Sequence, residues 1–585
     1  MLNHEQFMGV KAESPEPLIL SSNTNLRYAQ AMQNVCRDCS SAYEILDSDH
    51  EFYRELSTPA PRTCPACRLQ RRLVERNART LYKRKCDLMG KEFISPYHPD
   101  HTFPVYAPDV WWSDQWNAMD YGQAFDFSNP FFEQFSNLLN RVPHQGQFIV
   151  GGTVENSDYV NCAGYLKDCY LVAETDYNEK CYYGNRIFHN TAIVDCSNCY
   201  EDELCYQCID CQKCYHLLFS QDCQNCNNSY FLSDCIGCSD CIACINQRQK
   251  CQMIFNEQLS PEEYEVRKKD LQLDSHYGIE ELQYKADAFF RTQPHRALHN
   301  EHNQNSTGNH LYDSKNAQDC FDCKDLEDCV RCARVFNSKS CMDYTSWGDR
   351  SELMYQCASS GDNGYRLRFC TTCTTNNVEL EYSAHCTGCR NCFGCVGMRT
   401  AQYCILNRQY SEEEYQKIRK RIVEHMTSVG EYGEFFPKHL CPFAYNETIA
   451  MEYFPLTKEQ AIEQGYKWRD DDREAPHVPT FVRADDLPQT IGEISDDIVQ
   501  WAVLCSATGK PYRIIKQELD FYRQLNIPLP RNHPDERHRR RIARRPGVVL
   551  YDRPCAKCRR QTRTTYTPGQ LEIVYCEECY LKEVY

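Results

Sequence analysis

The chain has 585 residues, with 82 acidic side chains against 65 basic ones and a formal net charge of −17. This length exceeds one hydrophobic core, so about three to five structural units are expected, and the negative charge argues against a surface that simply binds polyanions. No apolar run approaches about eighteen residues and the N-terminus lacks the features of a secretory signal, so neither a membrane span nor export is predicted. Forty cysteines without an export signal then predict a reducing, cytoplasmic environment, where thiols are metal ligands, small buried side chains, or both.

The first 150 residues contain a predicted metal module. Cys36 and Cys39 form one CxxC pair, and Cys64 and Cys67 form a second pair. Two such pairs supply four thiolates to a tetrahedral centre, and a centre closed by four protein ligands has no position for an activated water. The pattern therefore predicts structural zinc at these four residues, with buried thiols as the alternative.

A basic helix is predicted directly after the second pair. Its arginines fall within about 140° of arc, with apolar residues opposite. Guanidinium rows suit phosphate contacts, so nucleic-acid binding is one interpretation, and pairing with the acidic surface of the chain itself is the other. The arginines are Arg68, Arg71, Arg72, Arg76 and Arg79.

An aromatic segment, residues 103–135, follows this helix and includes Trp111, Trp112 and Trp116. Such residues form stacking platforms for bases in some proteins. A cluster this dense is more often core, so we predict that it plugs the first coil of the segment that comes next.

Fourteen cysteines between Cys169 and Cys244 all share one register of a three-residue period. Neither a strand nor an α-helix keeps such a stripe on one side, whereas a coil that turns at every third residue does. Fifteen-residue rows in this register predict a coil of that length, so the first arm (residues 155–245) is interpreted as a β-helix-like solenoid. Ile187 and Leu217 occupy the same register, which favours a buried thiol core, with further zinc or an iron–sulfur cluster as alternatives.

The register returns in a second arm (residues 320–404), where a spacing of sixteen predicts a longer coil. Each arm is followed by a capping-box pattern, at Ser260 and at Ser411, so a helix is predicted to cover the end of each arm. The spacing of sixteen links Cys341, Cys357, Cys373 and Cys389.

The C-terminal end repeats the N-terminal module. A shift of 469 residues aligns 36–111 with 505–580 without a gap, and each copy lacks the cysteine pairs that the other retains, leaving Cys86 and Cys505 isolated. The second set of four ligands predicts a second structural zinc, hence two per chain. These ligands are Cys555, Cys558, Cys576 and Cys579. The basic helix is repeated by Arg537, Arg540, Arg541, Arg544 and Arg545.

The predicted architecture is mainly β with helices: two cysteine-rich solenoid arms, each ending in a helix, between duplicated zinc-ribbon or treble-clef-like modules. An acidic, proline-containing stretch, 469–497, is predicted to be a linker. The predicted domains are 1–150, the N-terminal zinc module with its aromatic cap; 151–300 and 301–435, the two arms with their helices; 436–500, a helical and acidic linker; and 501–585, the C-terminal zinc module.

Several runs together resemble a family of cysteine-repeat, zinc-ribbon proteins from small-genome, candidate-phyla bacteria. They are the basic run around Arg68–Cys86, the WWSDQW segment, the cysteine arms and the closing YCEECYLKEVY. Members of that family have no assigned activity. The resemblance also implies a CxxC pair where this chain has Ala107 and Val110, which departs from the family pattern.

The sequence contains no phosphate loop, dinucleotide fingerprint, HExxH motif or nucleophile elbow, so no catalytic residues and no organic cofactor are predicted. The first hypothesis is a zinc-binding scaffold that engages nucleic acid or the ribosome through its basic modules. The second is a structural or protein-interaction solenoid without nucleic acid. The third is a thiol-based metal or redox buffer.

Overall fold

The computed structural model describes residues 32–470 and 476–585, which form β-sheets and twelve α-helices with cysteine-rich clusters. The mainly short strands pair in parallel through most of each arm, which ends in one antiparallel pair, and they form antiparallel hairpins in the terminal modules. None of the helices in these two ranges has the length and apolar character needed to cross a membrane.

The N-terminal module (residues 32–111) alternates two-stranded hairpins with helices. Each hairpin turns through a left-handed residue, Ser40 in the first and Gly90 in the second, which closes a tight loop after a cysteine. The elements are β1 (Met32–Val35), β2 (Ala42–Ile45), α1 (Asp47–Glu55), α2 (Pro65–Leu73), β3 (Tyr82–Lys85), β4 (Glu92–Ser95), β5 (Val105–Tyr106) and α3 (Pro108–Trp111).

The aromatic segment continues into α4 (Phe131–Arg141) and β6 (His144–Gln145), which pairs in parallel with β5. Its rings are core, but they cover the second arm and not the first, which corrects the predicted position of the plug. Phe131 packs edge-on against Phe393 at 5.3 Å between ring centres. Arg399 of the second arm donates to the backbone carbonyl of Trp111.

In the first arm the chain turns after every three residues. Each third residue from Asn156 to Asp234 has a φ between 44° and 59°, so the intervening inward residues all project to one side. Parallel pairs join residues twelve apart, as in the series Asp158, Tyr170 and Tyr182. The strands are β7 (Val154–Glu155), β8 (Asn161–Lys167), β9 (Ala173–Glu179), β10 (Tyr215–Leu218), β11 (Asn227–Tyr230), β12 (Ser239–Ile242), β13 (Cys251–Ile254) and β14 (Glu257–Gln258).

The predicted fifteen-residue coil is therefore wrong, because the pairing repeats every twelve residues. Twelve and fifteen are both multiples of three, so a coil of either length places a stripe of cysteines with a three-residue period on its inward side. Only the backbone partners distinguish them: the Tyr170 N–H donates to the Cys181 carbonyl, and the Tyr183 N–H donates to the Tyr170 carbonyl.

The inward cysteines are buried and donate to the backbone. Cys208 is fully buried, and its thiol lies 3.1 Å from the carbonyl of Leu217, nine residues ahead. Serine fills the same position by the same means: the Ser220 hydroxyl donates to the Leu218 carbonyl and accepts from the Leu232 N–H. The register thus accepts small side chains that satisfy neighbouring backbone groups.

Two helices, α5 (Pro261–Asp270) and α6 (His276–Arg291), and the short strand β15 (Pro294–Arg296) follow the first arm. The second arm, whose ladder begins before residue 320, comprises β16 (Asn300–Glu301), β17 (Gly308–Tyr312), β18 (Cys320–Glu327), β19 (Ala333–Lys339), β20 (Met342–Glu352), β21 (Tyr355–Ala358), β22 (Val378–Glu381), β23 (Arg390–Phe393), β24 (Gln402–Ile405) and β25 (Arg408–Gln409). The helix α7 (Glu412–Ser428) follows it.

The capping boxes at Ser260 and Ser411 are confirmed, and α5 and α7 each pack on the last parallel strand of their arm, β13 and β24. The central pairing of the second arm steps by thirteen residues, as from Tyr355 to Arg368. The predicted length of sixteen is three residues too long. Thirteen and sixteen differ by one period of the stripe, so the cysteine spacing alone does not distinguish them.

The next elements are α8 (Ala450–Tyr453), α9 (Lys458–Glu463) and β26 (Phe481–Arg483). Part of the predicted linker lies outside the described residues. Its described part contains β26, which pairs in parallel with the first strand of the C-terminal module and is therefore attached to that module.

The C-terminal module (residues 501–585) repeats the N-terminal one element by element at the predicted shift of 469. Helix α1 at Asp47–Glu55 corresponds to α10 at Lys516–Gln524, and the left-handed residues recur as Gly509 and Arg559. The elements are β27 (Ala502–Leu504), β28 (Pro511–Tyr512), α10 (Lys516–Gln524), α11 (Pro534–Arg544), β29 (Tyr551–Pro554), β30 (Gln561–Thr564), β31 (Ile573–Tyr575) and α12 (Glu577–Val584).

Candidate metal centres and the arginine contacts

The N-terminal module brings its four predicted ligands together. The β1–β2 hairpin supplies Cys36 and Cys39, and the first turn of α2 supplies Cys64 and Cys67. All four sulfur atoms lie within 4.8 Å of one another, and those of Cys39 and Cys64 are 3.7 Å apart. Four sulfurs at about 2.3 Å from a shared tetrahedral ion are about 3.8 Å apart, so the spacing fits a metal ion.

The C-terminal module forms the same centre. The β29–β30 hairpin carries Cys555 and Cys558, and Cys576 and Cys579 begin α12. Their sulfurs also lie within 4.8 Å of one another, with Cys558 and Cys576 3.7 Å apart. The chain thus has two four-cysteine groups that can hold metal ions, at the eight predicted residues.

Hydrogen bonds favour thiolates in both centres. The Cys64 N–H donates to the Cys36 sulfur at 3.2 Å, and a hydrogen bond with the Cys67 thiol lowers the pKa of Cys64 to about 5. Burial acts to raise the pKa of Cys555, but backbone N–H groups, including that of Cys576, outweigh it and lower that pKa to about 6. The hydrogen bond between Cys64 and Cys67 also raises the pKa of Cys67, and burial raises the pKa of Cys579 to about 12, so each metal-free centre favours a thiolate at one cysteine and keeps a proton on another. Thiolates are the form that binds metal, so metal binding releases the remaining protons.

The hairpins that carry Cys86 and Cys505 retain the fold of the metal-centre hairpins but lack the other three cysteines. The Ala107 N–H donates to the Cys86 sulfur at 3.4 Å, as the Cys576 N–H donates to Cys555. Cys505 lies 3.6 Å from the side-chain oxygen of Asn532. Neither Cys86 nor Cys505 belongs to a metal-ligating group within the described ranges, so these hairpins close without a metal-binding set.

The cysteines of the arms also stand outside every such group found in the described parts of the chain. Their thiols donate to backbone carbonyls along the ladder, as Cys205 does to Glu203 and Cys389 does to Thr387. Leu217 and Leu232 are as deeply buried in the same register. These contacts are those of core side chains.

Arg68, Arg71 and Arg72 lie on α2 and face into the protein, whereas Arg76 and Arg79, predicted on the same helix, lie beyond its end at Leu73. Arg68 forms a 2.9 Å ion pair with Asp343 of the second arm, and Arg72 lies 3.6 Å from the same carboxylate. Burial acts to raise the pKa of Asp343, but its arginine neighbours outweigh burial and lower it. The remaining contacts are Arg71 with the carbonyls of Phe435 and Phe436, Arg76 with Glu174, and Arg79 with Asp535.

Helix α11 makes equivalent contacts with the first arm. Arg537 and Arg541, the counterparts of Arg68 and Arg72, both pair with Asp195, which is fully buried. Arg545 binds Asp210 and Asp322 of the two arms. Eight of the ten predicted arginines therefore contact groups of the chain outside their own helix, the alternative that the sequence left open.

The other two arginines, Arg540 and Arg544, are exposed on the same helix. Arg540 pairs with Glu536 at 2.8 Å on its own helix, and Arg544 forms no ion pair with any described residue. Both line a cleft of about 1390 Å³ between the first arm, α6 and the C-terminal module. Their contact with nucleic acid stays a prediction.

Nine arginines and five carboxylates line this cleft. Besides Arg540 and Arg544, the exposed arginines include Arg291 and Arg539. The sequence did not indicate Arg291 because α6 is distant in the chain and carries no basic stripe. Lining arginines therefore outnumber lining carboxylates, but Arg537, Arg541 and Arg545 are paired with aspartates behind the wall, and Arg539 and Arg540 share Glu536.

Comparison with protein-family models gave no match, and a search of curated proteins also found none for this chain. The features that bear on function are therefore the two four-cysteine groups, the buried arginine contacts and the cleft. Of these, the carboxylates Asp195 and Asp343 and the cleft itself were missed in the sequence. One feature of the sequence could have indicated them: Arg68 and Arg537 occupy equivalent positions in the two modules, so each could be expected to have an equivalent acidic partner.

Proposed function

We propose that this chain is a zinc-stabilised scaffold whose arginine-lined cleft binds a polyanion, with nucleic acid as the partner class. Each four-cysteine group holds one zinc ion in a zinc-ribbon or treble-clef-like module, because thiolate sulfur in a reduced environment selects zinc. The arms are solenoids of twelve to thirteen residues per turn, and the modules dock on them through buried arginines. The metal ions act by holding the modules folded and have no open coordination position.

The cleft carries the binding proposal. Its arginine excess lies where Arg291, Arg539, Arg540 and Arg544 are exposed from two different helices, so several guanidinium groups can meet one extended anion. Guanidinium groups bind phosphate oxygens in pairs, and release of counterions from a nucleic acid adds to the free energy of binding. The exposed guanidinium groups would steer such a partner to this side of an acidic protein.

The test measures the binding of labelled single-stranded and double-stranded oligonucleotides to the full chain by fluorescence anisotropy. We expect affinity to fall steeply as salt rises, and the double variant Arg540→Glu, Arg544→Glu to weaken binding by at least about tenfold at low salt. A matched control, Lys213→Glu with Arg390→Glu, makes the same change of charge at exposed positions outside the cleft and should bind far better. Absence of binding at low salt, or equal loss in both double variants, would leave the second hypothesis, a scaffold without nucleic acid.

A further inference from the structure

A third group of metal-ligating side chains lies where the two arms meet. Asp210 and Asp222 are twelve residues apart on successive turns of the first arm, and His310 lies on β17 of the second arm. One carboxylate oxygen from each aspartate and one ring nitrogen of His310 all lie within 4.8 Å of one another. The packing of the two arms therefore creates a group that neither arm has alone.

These side chains are buried and incompletely bonded. The side chains of Asp210, Asp222 and His310 are 6%, 11% and 5% exposed. The Nδ1 atom of His310 lies 4.0 Å from Asp210 and 3.4 Å from the Tyr312 hydroxyl, and the Nε2 atom of the same ring is buried without a hydrogen-bond partner. A buried polar atom without a partner costs about 1–3 kcal/mol, so a species that bonds to it stabilises the fold.

The carboxylate of Asp222 also lacks compensation. The basic side chain closest to it is the imidazole of His299, whose Nδ1 atom lies 3.7 Å away, and no hydrogen bond reaches the carboxylate from the described residues. Its carboxylate oxygen lies within 4.8 Å of one from Asp210, so the two buried carboxylates repel each other unless positive charge lies between them. A divalent cation would offset the same repulsion that a proton offsets.

The neighbours of the group resemble the outer contacts of metal ligands. Arg545 donates two hydrogen bonds to Asp210, at 2.8 and 3.0 Å, and so holds that carboxylate in place. The ring of His299 stacks on that of His310 at 5.3 Å and nearly parallel. Hydrogen-bonded carboxylates and fixed imidazoles are typical of metal sites, whereas the charge of Arg545 lowers cation affinity.

From this arrangement we propose that Asp210, Asp222 and His310 form a third metal site, for a divalent first-row cation with oxygen and nitrogen ligands such as Mn²⁺, Fe²⁺ or Zn²⁺. Imidazole together with carboxylates selects these ions over Ca²⁺ and Mg²⁺, and the absence of sulfur separates this site from the four-cysteine centres. Three protein ligands leave coordination positions open, and Asp222 lines the arginine-rich cleft. A bound ion would therefore be accessible from the cleft.

The experiment titrates Mn²⁺ and Co²⁺ into full-length protein that retains its tightly bound zinc and has passed over a chelating resin. The electron paramagnetic resonance signal of free Mn²⁺ and the visible spectrum of Co²⁺ report binding, and Co²⁺ at this site should lack thiolate charge-transfer bands. We expect one additional ion per chain, with at least about tenfold weaker binding in Asp222→Asn and in His310→Gln.

His302→Gln is the matched control, because His302 forms a His–Asp pair with Asp313 at 3.3 Å but is 79% exposed. It should bind like the wild type. Asp222→Asn keeps the shape of the side chain and removes a buried charge, so it should fold even if His310→Gln does not. Failure of the wild type to bind either ion, or unchanged affinity in Asp222→Asn, would overturn the proposal whether or not the chain binds nucleic acid.

Discussion

Arg541 and Asp195 form a buried 2.7 Å ion pair that joins the C-terminal module to the first arm. The N-terminal module repeats this relationship with the second arm, where Arg72 faces Asp343. The two arginines are 469 residues apart, and the two aspartates are 148 residues apart (343 minus 195). The duplicated modules and the duplicated arms therefore contact each other through corresponding residues. The basic helices therefore serve mainly to attach the modules to the arms. Of the ten predicted arginines, the exposed pair Arg540 and Arg544 remains available to a partner.

Removing one of these carboxylates should separate a module from its arm. In Asp195→Asn, Arg537 and Arg541 stay buried with their main counter-charge lost, which typically costs about 3–5 kcal/mol. We expect a lower melting temperature and faster hydrogen exchange in the C-terminal module. Asp362→Asn, which breaks a more exposed pair with Arg350, should change stability by no more than about 1 kcal/mol. Similar losses in both variants would show that the buried pairs do not hold the module.

A single inward aspartate gives the first arm a pH dependence. Asp202 lies in the inward register, twelve residues after Asn190. The Asn190 side chain accepts a hydrogen bond from the Asp202 N–H and donates one to the Cys199 carbonyl. One oxygen of Asp202 accepts from the Cys214 N–H, and the other is buried without a partner. Burial raises the pKa of Asp202 well above its usual value, so the folded state keeps a proton that the unfolded chain releases above about pH 4.

Asp202→Asn should therefore stabilise the protein, because the amide NH₂ group can donate a hydrogen bond without the side chain having to take up a proton from solution. The stability of the wild type relative to this variant is expected to fall as pH rises from about 4 towards 8, since only the unfolded wild type ionises there. At pH 7 we expect a gain of about 1–3 kcal/mol, measured as a shift in thermal unfolding at several pH values. A variant that is less stable than the wild type at pH 7 would contradict a protonated Asp202.

The arm cysteines should tolerate serine. Cys208→Ser places a hydroxyl where Ser220 already bonds to the backbone, so we expect a loss of roughly 1–2 kcal/mol and an unchanged metal content. Thermal unfolding and elemental analysis of the variant measure the two quantities. Loss of metal from Cys208→Ser would mean that the core thiols are ligands.

The spacing of residues in the sequence was sufficient to predict those features whose residues lie close together in the chain. The Cys36–Cys67 and Cys555–Cys579 ligand sets and the helix starts at Ser260 and Ser411 each involve residues joined by a short stretch of chain, and the structure brings them together as expected. The shift of 469 residues likewise predicted every element of the second module.

The coil length and the docking partners could not be obtained in this way. A three-residue stripe is compatible with any coil that is a multiple of three, so twelve and fifteen were indistinguishable without the backbone pairing. The partner of Arg537 lies 342 residues away, and nothing near either residue in the chain links it to Asp195. The aromatic plug was assigned to the wrong arm for the same reason, since contacts such as Phe131 with Phe393 are long-range.

The central claim is that tightly held metal resides in the two terminal modules and not in the cysteine arms. Elemental analysis of anaerobically purified protein, after passage over a chelating resin, tests it directly with Cys64→Ser, Cys576→Ser and the double variant, and with Cys505→Ser as the control. We expect two zinc ions in the wild type and in the control, one in each single variant, none in the double variant, and no visible iron chromophore. Zinc or iron retained by the double variant would place tightly held metal outside the two terminal modules and contradict the account.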